Sequence, residues 1–200
     1  MRTFSSVLVA NRGEIALRVM HTARKLGLRT VAVYSEADVN APHRHFADAA
    51  VSVGGAAAAD SYLQGARIIK AALDTGAEAI HPGYGLLSEN AAFARAVADA
   101  GLVFIGPTAD AIEMMADKAR AKVQMRAAQV PCVPGYDGDE QSVARFIAEA
   151  ETLGMPLMLK AAAGGGGRGM RLVSELAELP HAFAAAGSEA EAAFGDGTLL

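Results

Sequence analysis

Cysteine is almost missing from this 200-residue chain: Cys132 is the only one. An internal disulfide and a zinc site built from clustered cysteines are therefore excluded, and a reducing cytoplasm suits the chain. Long hydrophobic runs are missing as well. The first apolar run, Val7 to Ala10, is broken at once by Asn11-Arg12-Gly13-Glu14, so it is too short for a signal or membrane-spanning segment. A mitochondrial transit bias is absent, because Glu14 arrives early with only two basic residues before it. Basic charge is not in excess. Lys and Arg number 18 against 22 Asp and Glu, a net charge of −4, which removes the general positive field that nucleic acid requires. Recognition of phosphate, if it occurs, has to be local. There is also no Gly-Lys-Ser/Thr of a P-loop, and no second histidine at ligand spacing from His81 that would give it a metal.

What is present is core material. Hydrophobic residues make up 52% and charged residues 20%, which excludes disorder. The length suits one large domain, or one domain with part of another. Ser6 to Ala10 reads as a strand. Glu14 to Leu26 reads as a helix, with Ile15, Val19, Ala23 and Leu26 near a 3.6-residue period and Gly27 at its end. Thr30 to Tyr34 is a second strand. Ser61 to Leu73 reads as a helix with Leu63, Ile68, Ile69 and Leu73 turned inward. Ala79 to His81 is a strand, Glu89 to Ala100 a helix, and Val103 to Ile105 a strand. This alternation predicts an α/β fold, a parallel sheet with helices on both faces and ligands at the carboxyl ends of its strands. Polar motifs do follow the strands: Asn11 to Glu14, His81 to Gly85, and Gly106-Pro107.

Two helices, Ala109 to Ala116 and Lys118 to Ala128, lead into a second unit, with Pro131, Pro134 and Gly135 marking a linker or strand entry. Gln141 to Leu153 reads as a helix capped by Gly154, and Glu175 to Ala186 and Glu189 to Phe194 as two more. After a turn at Gly195 to Gly197, Thr198 to Leu200 begins an apolar run. The chain is accordingly expected to be truncated.

The stretch LMLKAAAGGGGRGMRLV, residues 157 to 173, carries the most chemistry. Two apolar runs, Leu157 to Lys160 and Met170 to Val173, read as paired strands around a run of six residues that holds five glycines. Gly164, Gly165, Gly166 and Gly167 permit positive φ and let backbone N–H groups approach an anion without a Cβ in the way. Lys160 supplies a countercharge, and a polyphosphate such as that of ATP is the matching ligand. A plain flexible loop has the same composition. Gly164, Gly166 and Gly169 also satisfy G-x-G-x-x-G, but a strand follows them, whereas a dinucleotide fingerprint opens a helix.

The other motifs are weaker singly. Gly13 permits a sharp turn, and Glu14 lies where a helix dipole favours an anion, although an ordinary strand-to-helix loop explains both. Tyr84 and Gly85 belong to a long loop that could wall a shallow pocket, with Ser88 as the expected cap of the next helix. His81 reads as a structural hydrogen-bonder, and His43 and His45 as solvated. Asp117 fits a helix N-cap. Lys118 reads either as a solvated helix lysine or as a second phosphate contact.

Taken in order, ANRGEIALRV (10 to 19), AIHPGYGLLSENAAFA (79 to 94), FIGP (104 to 107), DKARAK (117 to 122), VPCVPGY (130 to 136) and LKAAAGGGGRGMRLV (159 to 173) resemble the N-terminal part of biotin carboxylase, an ATP-grasp enzyme. The resemblance covers nearly the whole chain. It implies a pre-ATP-grasp parallel-sheet domain at residues 1–115, a linker helix at 116–133, and the small α+β lid subdomain of an ATP-grasp domain at 134–200. It implies an ATP-dependent ligase that uses bicarbonate to carboxylate biotin on a carrier domain, with Mg2+, for acyl-CoA carboxylation in the cytoplasm. Lys118 and Lys160 match the family's ATP-phosphate lysines. Gly164 to Gly167 match its flap, Met170 a residue beside adenine, and Tyr84 and Gly85 residues near the biotin pocket. Leu86 stands where the family often has Phe, and Ala162 where it often has Ser; neither changes charge. Tyr136-Asp137-Gly138 and residues 188 to 200 lean toward methylcrotonoyl- or geranyl-CoA carboxylase α subunits.

The implied partners are a biotin carboxyl carrier domain, a carboxyltransferase subunit and a second copy in a homodimer, with neither nucleic acid nor membrane. The family's catalytic residues and metal ligands are expected beyond residue 200, so these 200 residues alone are expected to be inactive. Two alternatives stay open. One is another ATP-grasp ligase, such as pyruvate carboxylase or a carbamoyl phosphate synthetase-like enzyme. The other is a non-catalytic nucleotide-binding or assembly module.

Overall fold

The computed structural model describes residues 4–116, 118–162 and 169–200, with the side chains of Lys118 and Ala119 outside that description. Contacts divide the chain into two compact units, the first ending at Glu113 and the second running from Met114 to Leu200.

The first unit alternates strand and helix: β1 (Ser6–Val9), α1 (Gly13–Lys25), β2 (Arg29–Ser35), α2 (Pro42–Phe46), β3 (Ala49–Gly54), α3 (Gly65–Asp74), β4 (Ala79–His81), α4 (Ala91–Asp99) and β5 (Val103–Phe104). The five strands form one parallel sheet in the order β3-β2-β1-β4-β5. Alternating side chains face opposite sides of a strand, and the core divides accordingly. Leu8, Val31, Val33 and Ile80 pack with Ile68, Ala71 and Ala72 of α3 and Phe93 and Val97 of α4. On the other face, Val9 and Ala32 meet Ala16 and Met20 of α1, and Val7 and Ala79 meet Ala23. Burial on both faces is what makes these strands continuous apolar runs. The connections from β1 run to one side of the sheet and those to β4 and β5 to the other. The order therefore reverses between β1 and β4, the place where an open α/β sheet leaves a crevice.

The second unit follows α5 (Ala109–Ala116), which ends in it, and holds α6 (Lys118–Ala127), α7 (Val143–Leu153), β6 (Leu157–Lys160), β7 (Met170–Val173) and α8 (Leu179–Phe194). β6 and β7 pair antiparallel over the predicted residues. The other edge of β6 is also taken. Lys160 and Leu200 exchange backbone hydrogen bonds at 3.0 and 2.8 Å, the Ala162 N–H reaches Thr198 O at 2.8 Å, and the Gln141 carboxamide holds both backbone groups of Leu199. Leu159, Val173, Phe146, Leu179 and Leu199 form the buried core.

Several expected details differ. The inward face of α1 is Ala16, Met20 and Ala23, one position on from Ile15 and Val19, because small residues let the helix lie close on the sheet. Leu26 ends that helix and is 71% exposed. α3 starts at Gly65, not Ser61, since residues 61–64 turn Tyr62 into the core, and a Cβ at Gly65 would lie 2.9 Å from the Phe93 ring. Its inward residues are Ile68, Ala71 and Ala72, while Leu63 and Leu73 are exposed. β3 and α2 were not anticipated. α4 is capped by Asn90, whose Oδ1 accepts the Phe93 N–H at 2.8 Å, in place of Ser88. The two expected C-terminal helices are one, α8, running through Gly187 because Ala186 and Ala190, one turn apart, are both fully buried.

The phase of α1 is testable. Met20→Ala should cost about 2–5 kcal/mol, as for other buried large-to-small changes. Leu26→Ala should stay within about 0.5 kcal/mol. Urea unfolding followed by circular dichroism measures both, and equal effects would contradict the observed phase.

Candidate functional sites at the sheet switch point and on the hairpin

At the carboxyl end of β1 the chain enters Asn11-Arg12-Gly13, and at the end of β4 it enters His81 to Gly85. These two loops meet across the reversal point of the sheet. Asn11 is 4% exposed, and its Nδ2 donates to Pro82 O at 2.8 Å and Tyr84 O at 2.9 Å. Its Oδ1 accepts the Arg12 N–H at 2.9 Å. The Gly83 N–H donates to His81 Nδ1 at 3.0 Å, and burial holds His81 below the usual imidazole range. Gly83, Gly85 and Leu86 all have positive φ. A Cβ on Gly83 would sit 2.6 Å from Asn11 Nδ2, so glycine is required there by the close approach as well as by φ. Leu87 anchors the far side of the loop in the core, whereas Tyr84 is 66% exposed above it. The loop is thus pinned at both ends with an aromatic ring turned to solvent.

Arg12 leads to a group that sequence reasoning missed. Its Nε and Nη2 donate to the two carboxylate oxygens of Asp38 at 2.6 and 2.5 Å. The Tyr62 hydroxyl donates to Asp38 Oδ2 at 2.6 Å and accepts the Ser35 N–H at 3.1 Å. The Arg12 hydrogen bonds outweigh burial and hold the Asp38 carboxyl at about 2. His43, expected in solvent, is fully buried instead. The Gly13 N–H donates to its Nδ1 at 3.3 Å and its Nε2 lies 3.2 Å from Val33 O, which fits a neutral ring, and burial lowers its pKa. His45 is exposed. The one available signal was an acid, Asp38, three residues beyond an apolar strand that faces the arginine of a strand-to-helix loop.

On the hairpin of the second unit, cross-strand register sorts side chains by face. Lys160 lies opposite Met170, and Met158 opposite Leu172. All four are exposed, while Leu159 and Val173 on the other face are buried against α7 and α8. Arg171, on that inner face, pairs with Glu189 of α8 at 2.7 Å. Lys160 pairs with no carboxylate among the described residues. A groove of about 710 Å3 runs beside β6, lined by Lys122, Cys132, Tyr136, Met158, Lys160 and Leu200 among others. Lys160 and Met170 are thus brought together. Lys118 starts α6, but its side chain, together with Asp117 and Gly164 to Gly167, lies outside the described residues. Tyr84 and Gly85 belong to the first unit. Among the described residues no group of three His, Cys, Asp or Glu could hold a metal, and no helix is long and apolar enough to cross a membrane.

The buried carboxylate gives a pH prediction. Asp38 titrates at about 2 folded and near 3.8 unfolded, so between those values the unfolded chain binds more protons and stability rises with pH. Its contribution, about 2 kcal/mol, is fully present above pH 4 and lost as pH falls through about 2. Asp38→Asn should remove that slope from urea unfolding between pH 4 and 2; an unchanged slope would mean that the pair does not control it.

Comparison with known proteins agrees with both units. Residues 3–112 match the family model of the biotin carboxylase N-terminal domain, and residues 117–200 that of the ATP-binding domain of the carbamoyl-phosphate synthase L chain. The chain is 52% identical over 194 residues to the mitochondrial methylcrotonoyl-CoA carboxylase subunit α of Arabidopsis thaliana, covering 97% of this chain and 26% of that one. A Campylobacter jejuni biotin carboxylase in complex with β-γ-ATP superposes with a TM-score of 0.92 at 47% identity, covering 98% of this chain and 44% of that one. The biotin carboxylase domain dimer of Hydrogenobacter thermophilus 2-oxoglutarate carboxylase, with MgADP, ADP and bicarbonate, superposes with a TM-score of 0.90 at 48% identity, covering 100% of this chain and 44% of that one. The chain therefore spans between about a quarter and a half of the length of these relatives. With its N-terminal model covering more than half of the residues, and the fold superposing at nearly 50% identity, the chain belongs to the biotin carboxylase family.

Proposed function

We propose that these residues form the N-terminal portion of an ATP-dependent ligase that carboxylates biotin with bicarbonate, and that the hairpin of the second unit is part of its ATP site. The observation that carries this reading is the outer face of β6 and β7. A solvated sheet face is ordinarily polar. This one presents Met158, Met170 and Leu172 beside the exposed cation Lys160. Flat apolar area next to an exposed ammonium suits a purine with a phosphate tail, and thioethers adapt to a planar ring. Lys118, Lys160, Gly164 to Gly167 and Met170 are the proposed ATP-binding residues. Residues 134–200 are the proposed lid, 116–133 the linker and 1–115 the pre-ATP-grasp domain. Tyr84 and Gly85 are proposed to line the biotin site.

Relatives support the reading. One neighbour is a complex with β-γ-ATP, and another a dimer with MgADP, ADP and bicarbonate. We infer the same ligands for the protein that carries this chain, with Mg2+ held by residues outside these 200. A biotin carboxyl carrier domain and a carboxyltransferase subunit are the proposed partners, assembly as a homodimer is proposed, and the cytoplasm is the proposed location.

The test uses a biotin carboxylase of full family length carrying these residues, assayed for bicarbonate-dependent ATP hydrolysis with free biotin. Lys160→Ala should raise KM for ATP by about 10- to 100-fold, the loss of one charge-assisted contact of roughly 1.5–3 kcal/mol. As an exposed residue, it should change stability by no more than about 0.5 kcal/mol. A sharp drop in melting temperature with normal ATP kinetics would make Lys160 structural. The 200 residues alone should show no turnover, and clear turnover would defeat the proposed division of the ATP site.

A further inference from the structure

We propose that Asn11 is a positioning residue for the biotin-binding loop, an inference that rests on the reading of Tyr84 and Gly85 given above. The reversal of strand order between β1 and β4 puts the open crevice of the sheet at the carboxyl ends of these two strands. Asn11 is the side chain that spans it. Both protons of its carboxamide are used on the opposite loop, on the carbonyls of Pro82 and Tyr84, and its oxygen is used on the Arg12 N–H. These two carbonyls bracket Gly83, whose position leaves no room for a Cβ against Asn11.

The loop needs such a clamp. Three of its residues, Gly83, Gly85 and Leu86, have positive φ, and Leu86 has a side chain that disfavours it. A backbone of this kind persists only where its surroundings hold it, and Tyr84, the residue turned outward, sits inside the strained segment. The clamp is itself oriented. The Arg12 guanidinium is fixed on Asp38 by two hydrogen bonds, and Asp38 is fixed by Tyr62. Asn11 touches no substrate in this account. It sets the height and direction of Tyr84 and Gly85, so its loss acts on biotin recognition through them.

Three measurements on the full-family-length enzyme separate the outcomes. In Asn11→Ala, KM for free biotin should rise by about tenfold or more, as expected when a binding loop shifts by an ångström, while KM for ATP moves by less than about twofold. Hydrogen exchange of the segment 82–87 should accelerate by about tenfold, with the β1 and β2 amides unchanged. Asn11→Ser, which keeps one short donor, should fall between wild type and Asn11→Ala, and it serves if Asn11→Ala does not fold. Tyr84→Ala tests the underlying reading separately. If Tyr84→Ala raises KM for biotin and the Asn11 variants do not, the positioning role is overturned while the loop assignment stands. If Tyr84→Ala leaves KM for biotin unchanged, the assignment fails and the role of Asn11 fails with it. Equal rises in KM for biotin and ATP would mark Asn11 as merely structural and overturn the proposal.

Discussion

Parallel strands stop pairing abruptly at their carboxyl ends, and the peptide groups just past the last ladder bond must find partners elsewhere. Between β1 and β4 that last bond is the Ala10 N–H to His81 O, at 2.8 Å. The next residue, Asn11, takes over with its side chain. A carboxamide offers two donors and an acceptor in one plane, and here all three directions are filled at 2.8 to 2.9 Å. A carboxylate in the same place would set oxygen against two carbonyl oxygens, and an aliphatic side chain would take the partner from both, the buried Pro82 carbonyl included. This one bridge ties the loop at Pro82 and Tyr84 and brings Asn11 so close that position 83 has to be glycine.

The second unit satisfies its backbone differently. β6 pairs with β7 along one edge and, at its C-terminal end, Lys160 pairs with Leu200 on the other. One face is spent on the core, with Leu159 and Val173 buried. The other face has no structural need to be apolar. Exposed Met158 at 40% and Leu172 at 64% leave apolar area in water, at about 25 cal/mol per Å2 of surface that could otherwise be covered. Among the described residues nothing covers that area, which is the physical reason to look for a ligand there.

How much of this was legible in the sequence depended on whether local pattern or tertiary context made the decision. The hairpin strands were legible to the residue, because two short apolar runs around a glycine run leave few other arrangements. The α/β alternation was legible for the same reason. β3 was not: Ala49 to Gly54 is an edge segment rich in Ala, Ser and Gly, with little strand preference of its own, and it is held by pairing with β2. The faces of α1 and α3 were read in part: Ala23, Ile68 and Ile69 do face the core, but the inner alanines Ala16, Ala71 and Ala72 were passed over, because pattern reading gives weight to the larger Ile, Val and Leu beside them. Lys160, expected to supply a countercharge to phosphate, stands on the exposed face of β6, where strict alternation places it. The Arg12–Asp38–Tyr62 group escaped notice because its members are 26 and 24 residues from Asp38 in sequence and meet only when the sheet forms.

Exposure also bears on how Lys160 could hold a nucleotide. In water an ammonium and a phosphate a few ångströms apart attract by only about 1 kcal/mol, and the attraction grows severalfold once the surroundings lose water. Lys160 alone would therefore be a weak anion site. Its neighbours change that. Met170 lies directly across from it, and Met158 and Leu172 extend the same face. On the proposed reading, a purine seated on those three side chains excludes water from the strip that includes the lysine, so burial of the base strengthens the charge contact next to it. The apolar residues and the cation then act as one binding element, neither half of which would suffice separately.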